Sequence, residues 1–279
     1  MRIQGTIIAH DSNERTIQID YRKRRHTIYF QRATYNKYHR FLDNGFHIAL
    51  DAKIIAKKRG KQLTATHVLK ISKPRPYGTK TLYSFASMRD ETRKFINSLD
   101  TKLFLDFEMS MHPYKKNPRF TQEIIQAGYI LEDREGNIIK EYSAYIKPTR
   151  HKTLSRRTTK FLDLTQEDVD QGIGFLTFYN EFKTLLETYR PAIIVWGKND
   201  HLALKDSYKV NKVRSLGRLT RFVNLLKLHK NVFNYKDDIG LKTAYEMYGN
   251  NLKTQRHDAL EDAYMTKRVF DGFKASLNR

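Results

Sequence analysis

With 279 residues, a formal net charge of +22 and no cysteine, the chain excludes disulfide frameworks and thiolate metal sites and points to a polyanionic partner, most simply nucleic acid. Its 39% hydrophobic and 12% aromatic content suffices for a packed core and excludes a disordered chain. No apolar run reaches membrane-span length, and the N-terminus lacks a signal peptide's charged start and long apolar core, so a cytoplasmic protein with no membrane partner is expected.

Residues 1–72 read as a small, basic, β-rich domain. The runs 3–8 and 16–21 are β-prone and separated by a polar turn at 11–14, and 27–30, 47–50 and 64–69 continue the pattern. A helix is expected over 33–42. Several short strands around one helix suggest a barrel similar to OB or cold-shock modules. Residues 1–90 carry 19 Lys/Arg against 6 Asp/Glu, so +13 of the net charge lies in the first third. The basic segments 22–25 and 57–61 fit a general nucleic-acid grip, and Tyr21, Tyr29, Phe30 and Tyr35 are either core residues or stacking platforms.

Two prolines and a glycine within Lys73-Pro74-Arg75-Pro76-Tyr77-Gly78 mark residues 73–80 as a linker. The second domain is expected over 81–279, with a leading helix at 81–99. Strands follow at 102–107, 123–131 and 138–146, the last two joined by a turn at 132–137. Phe175, Phe178, Phe182, Leu185, Leu186 and Tyr189 recur at helical steps until Pro191 stops them. A buried strand at 192–197 and helices near 201–208, 239–248 and 258–275 complete the chain. Trp196 reads as core. Glu167, Asp168 and Asp170 read as capping or decorating the start of the 171–189 helix, and Asp237-Asp238 suits the start of the 239–248 helix.

The chemistry is concentrated in acidic positions. Strand side chains alternate, so Asp106 and Glu108 share one face while Leu105 and Phe107 bury the other. Paired carboxylates at a strand's end can bind hard divalent cations through oxygen. Asp200 ends the segment Ala192-Ile193-Ile194-Val195-Trp196-Gly197-Lys198-Asn199-Asp200. Near the C-terminus, His257 and Asp262 flank Asp258-Ala259-Leu260-Glu261. Asp258 and Glu261 form a capping pair, which starts a helix at about 259 and leaves His257 just before it.

The ordered set Asp-x-Glu, strand-end Asp, then His-x4-Asp resembles the DEDDh (DnaQ-like) 3′–5′ exonucleases over roughly residues 100–272. The resemblance implies an α/β fold with a ribonuclease H-like mixed sheet flanked by helices, here preceded by the small barrel-like domain. It also implies two Mg²⁺ or Mn²⁺ ions held by Asp106, Glu108, Asp200 and Asp262. Asp106 would bridge the pair, Glu108 and Asp262 would complete one site, and Asp200 would serve the other. His257 would be the general base. Many relatives follow the first motif with Thr-Thr-Gly, whereas this chain has Met109-Ser110-Met111, which makes Met109 and Ser110 candidates for substrate contact. Lys115 and Lys116 are further candidates, in a loop with His112, Tyr114 and Arg119.

The function that the resemblance implies is metal-dependent 3′–5′ trimming of single-stranded RNA, with DNA a further substrate. A DNA exonuclease of repair or proofreading is the same-class alternative. A nuclease fold that has lost activity and only binds nucleic acid is another, and a basic RNA-associated structural protein a third. The sequence names no protein partner.

Overall fold

The computed structural model describes residues 1–22, 24–57, 60–115, 118, 120–235, 237–251 and 257–279. The chain divides into two compact units, Met1–Thr92 with Lys230–Asp237, and Arg93–His229 with Asp238–Arg279.

The first unit is built on β1 (Arg2–Asp11), β2 (Thr16–Tyr21), β3 (Arg24–Tyr29), α1 (Arg32–Tyr38), β4 (His47–Lys57), β5 (Gly60–Pro74) and β6 (Thr79–Ser84), with the start of α2 (Phe85–Asn97). Antiparallel pairing runs β3-β2-β1-β4-β5-β6, and a parallel β3–β5 contact closes the first five strands on themselves. A five-stranded barrel with a helix between its third and fourth strands is the OB-type arrangement anticipated from the sequence. Period-2 isoleucines and leucines explain it: Ile3, Ile7, Ile17, Ile19, Ile28 and Leu50 all point inward and are fully buried. Tyr35 and Tyr38 of α1 plug the barrel, so Tyr35 is core rather than a stacking platform.

Two local expectations change. The helix of 33–42 ends at Tyr38 and continues only as a 3-10 turn, His39–Phe41. Residues 81–84, expected as helix, are strand instead. Thr81 and Tyr83 lie opposite Ser72 and Ile71, and the Tyr38 hydroxyl donates to that of Tyr83, contacts a local pattern does not reveal. Residues 73–80, expected as a linker, hold the β5–β6 turn, where Arg75 N donates to Gly78 O at 2.9 Å.

The second unit contains β7 (Lys102–Met109), β8 (Ile124–Glu132), β9 (Ile138–Lys147), α3 (Arg156–Leu162), α4 (Gln166–Asp170), β10 (Ile173–Gly174), α5 (Phe175–Tyr189), β11 (Ala192–Val195), α6 (Asn199–Val210), β12 (Arg221–Asn224), α8 (Leu241–Met247) and α9 (Ala259–Asn278), and α7 (Leu225–Phe233) begins in it and passes into the first unit at Lys230. Its sheet runs β10-β9-β8-β7-β11-β12, antiparallel through β9-β8-β7 and parallel from β7 to β12. That is a ribonuclease H-like mixed sheet, with β12 the strand the sequence reading did not locate. Leu103, Leu105 and Phe107 pack one face with Phe178 and Phe182 of α5. On the other face Phe104 meets Phe270 of α9 edge-on, with ring centroids 5.4 Å apart.

The acidic run 167–170 does not cap α5. Thr165 and Asp168 form a capping box for the separate helix α4, while α5 starts behind Gly174. Asp237 and Asp238 do not cap α8 either; its N-cap is Gly240, with no side-chain bond. Among the described residues no helix is long and apolar enough to cross a membrane.

Candidate active site

Three elements bring the acidic positions together. The central strand β7 carries Asp106 and Glu108, and a register shift between Glu108 and Met109 ends its regular pairing there. From β11 the chain turns through Gly197, at φ +109°, a left-handed conformation that side chains disfavour. The turn leads into α6, where Asp200 is 4% exposed and its Oδ1 accepts from Phe107 N at 3.0 Å. One hydrogen bond thus fixes Asp200 to the backbone between the two β7 carboxylates.

The third element is the start of α9. Asp258 caps it, Oδ1 accepting from Leu260 N and Glu261 N at 3.0 Å each. Its other oxygen accepts from Gln126 Nε2 at 2.6 Å, and Ala259 N donates back to Gln126 Oε1 at 3.2 Å. Gln126 lies opposite Glu108 on β8, and Gly128 opposite Asp106. A Cβ on Gly128 would sit 2.2 Å from Ala259 C and Leu260 N, so the helix start reaches the sheet only because that strand residue has no side chain. Asp262 follows one turn into α9, 6% exposed. His257 lies before the cap, its Nδ1 3.9 Å from both Glu108 Oε1 and Asp262 Oδ2.

This crowding is electrostatically costly. Burial, then the charges of Asp200, Glu108 and Asp262, raises Asp106 well above the usual carboxylate range. Burial first, and the neighbouring Asp262 and Asp200 second, pushes Glu108 up to about 8. Burial raises Asp200 to about 6 against the opposing hydrogen bond from Phe107. Burial also lowers His257. Ligand atoms of Glu108, His257 and Asp262 all lie within 4.8 Å of one another. An oxygen-rich set whose members repel one another suits an added hard divalent cation, which would relieve the repulsion.

Ser110 is buried and its Oγ accepts from Glu123 N at 3.0 Å, a structural bond. Met109 packs partly buried against the core. Lys115 is exposed in its loop, and Lys116 and Arg119 lie outside the described residues. Trp196 is half-buried at the end of β11 and donates to Ile239 O at 3.2 Å. The sequence reading missed Gln126 and Gly128, and it missed Phe161 of α3. Phe161 is 50% exposed, yet its ring stacks on His257 at 4.5 Å and 19°. An exposed aromatic within a basic seven-residue helix gave no sequence signal.

Residues 103–270 match the family model RNase_T, described as exonuclease. The chain is 31% identical over 169 residues to the probable 3′-5′ exonuclease KapD of Bacillus subtilis (strain 168), covering 60% of this chain and 82% of that protein. It is 24% identical over 199 residues to the 3′-5′ exonuclease crn-4 of Caenorhabditis elegans, covering 64% of this chain and 66% of that one. In fold it is similar to the nuclease domain of 3′hExo, a DEDDh family member solved bound to rAMP, with a TM-score of 0.56 at 19% identity over 62% of this chain and 90% of that chain. It is also similar, with a TM-score of 0.57 at 15% identity, to a 3′-exonuclease solved in recognition of the histone mRNA stem-loop; that match covers 70% of this chain and 81% of the other.

Proposed function

This chain belongs to the DEDDh 3′–5′ exonuclease family, and from that premise we propose that it trims single-stranded RNA from the 3′ end in the cytoplasm. The observation that carries the proposal is the convergence of Asp106, Glu108, Asp200 and Asp262 from β7, α6 and α9, with His257 3.9 Å from two of them. The family implies dependence on divalent metal. Asp106, Glu108, Asp200 and Asp262 would hold two divalent ions, Mg²⁺ or Mn²⁺. When bound, they supply Lewis-acid stabilisation of the charge that develops on the scissile phosphate.

The chain's own residues do the rest. Phe107 N holds the Asp200 carboxylate in place. The Asp258 cap and its bond to Gln126 hold the base of α9, and with it Asp262, against the sheet. His257 takes the proton of the attacking water. Burial lowers its pKa, which keeps the imidazole neutral and able to accept near neutral pH. Phe161 stacks on that ring and limits how it turns. Met109, which ends β7 next to Glu108, and Lys115 of the loop that follows are the candidates for substrate contact. RNA is put before DNA because two proteins of similar fold were solved with rAMP and in recognition of an mRNA stem-loop. The basic first unit grips the strand while the second unit, which holds the acidic cluster, cuts it.

The test is digestion of 5′-labelled single-stranded RNA and DNA of one sequence, with Mg²⁺, with Mn²⁺ and with EDTA. A ladder shortening from the 3′ end, faster on RNA and abolished by EDTA, is expected. Cleavage at internal positions, or activity that survives EDTA, would refute the proposal.

A further inference from the structure

The first unit carries a concave, basic surface that the exonuclease chemistry does not use. Two depressions of about 340 and 300 Å³ share Gln31, Ile55 and Thr64 and therefore form one groove. Its floor is the outer face of the barrel where it closes. Tyr29 of β3 and Lys53 of β4 both lie opposite Thr64 of β5, and Ile55 lies opposite Gln62, so register places these side chains along one face. Thr64 and Thr66, two residues apart on β5, line the same groove.

Cations stand along its length. At one end are Arg15, on the β1–β2 turn, and Arg32, the first residue of α1. Phe30 N donates to Arg15 O at 2.9 Å, tying that turn to the strand end that carries Tyr29. At the other end Lys37 of α1 and Lys230 join Lys53. Lys37 Nζ lies 5.4 Å from the Tyr38 ring centroid. Burial, and second the Lys230 charge, lower the Lys37 pKa, so an anion placed between the two ammonium groups would be stabilised by both. Glu14 is the one acidic side chain among the described lining residues. Half-buried Tyr29 and Tyr235 line the two ends, the Tyr235 ring stacked on Phe233 at 5.8 Å and 23°.

We propose that this groove over β3, β5 and β4 is a binding site for the phosphodiester backbone of a single-stranded nucleic acid. A flat anionic membrane would not match a concave groove floored by threonine and glutamine, whereas a strand presents successive phosphates to the cations and bases to the tyrosines. The proposal rests on the nucleic-acid reading above. It goes further by placing the grip at the barrel's closing seam rather than on the β2–β3 face that OB modules commonly use. Arg25, opposite Asp20 at 3.9 Å, shows that the β2–β3 face carries an acid beside its cation.

The test is fluorescence anisotropy of the full chain in EDTA, with a labelled single-stranded RNA and a DNA of the same sequence at several salt concentrations. Vesicles of phosphatidylserine and phosphatidylcholine form a further arm. Arg32→Ala/Lys53→Ala removes two exposed cations from the groove, and Lys70→Ala/Lys80→Ala removes two exposed ones elsewhere on the barrel. The groove pair should weaken strand binding about tenfold and flatten the slope of log K against log salt by about 1.4, two phosphate contacts' worth, while the other pair changes neither by as much. Equal losses from both pairs would mean diffuse charge and overturn the groove. So would an unchanged salt slope in the groove pair, or a loss confined to vesicles. Relative affinity for the RNA and the DNA reports which sugar the site takes. Hydrolysis of a trinucleotide by the wild-type chain with Mn²⁺ is scored separately; its absence would overturn the exonuclease reading and leave the groove standing on the binding data.

Discussion

Replacing Glu108 with glutamine should abolish activity and yet make the metal-free protein more stable. Glu108 is 8% exposed, and its carboxyl is pushed from 4.5 to about 8 by burial and then by the neighbouring carboxylates. Between those two pH values the folded chain holds a proton that the unfolded chain has released. Stability is therefore full below pH 4.5 and falls as pH rises through 8. At ~1.4 kcal/mol per pH unit the interval corresponds to about 5 kcal/mol. Part of that cost is shared with the carboxylates whose charges raise Glu108, so about 2–3 kcal/mol falls to Glu108 alone. Glu108→Gln keeps the shape and removes the charge. Thermal denaturation in EDTA should show the variant melting about 5–10 °C above wild type at pH 8.5 and level with it at pH 4.5. Added Mn²⁺ should raise the wild-type melting temperature more than the variant's. A variant that melts no higher than wild type at pH 8.5, or by the same margin at both pH values, would refute this electrostatic account.

Two further substitutions probe the scaffold. Gly128→Ala puts a methyl group 2.2 Å from the backbone of Ala259 and Leu260, so the α9 start must shift and carry Asp262 with it. Turnover should drop about 100-fold with the circular dichroism spectrum retained, and an unchanged rate would contradict the close approach. Phe161→Ala removes a half-exposed ring, so stability should stay within about 0.5 kcal/mol of wild type while kcat falls. Phe161→Tyr should restore kcat, because only the stack on His257 is at stake; equal rates for all three proteins would show that the ring positions nothing.

Much of the second unit was legible because its signals are local. Alternation in Lys102–Met109 sorts Asp106 and Glu108 from Leu105 and Phe107, and the Asp258 cap starts α9 at Ala259 as its spacing required. The five-strand barrel was legible from its period-2 isoleucines. What was lost depends on partners far along the chain. Thr81 and Tyr83 are strand because β5 lies beside them, not because of their own neighbours. Gln126 and Gly128 are inconspicuous on β8 until α9 descends on them from 130 residues away. Phe161 meets His257 only when α3 is folded against the sheet end. Ser110, which a motif comparison marks for substrate, spends its hydroxyl on Glu123 N.

The central claim is that Asp106, Glu108, Asp200 and Asp262 jointly seat divalent metal for cleavage at a 3′ end. The measurement that tests it most directly is calorimetric titration of Mn²⁺ into metal-free wild type and Asp106→Asn, with turnover of single-stranded RNA followed in the same samples. The account predicts saturable binding by wild type, with activity rising as the site fills, and loss of both in Asp106→Asn. Wild-type affinity retained in Asp106→Asn, or wild-type turnover independent of Mn²⁺ occupancy, would contradict it.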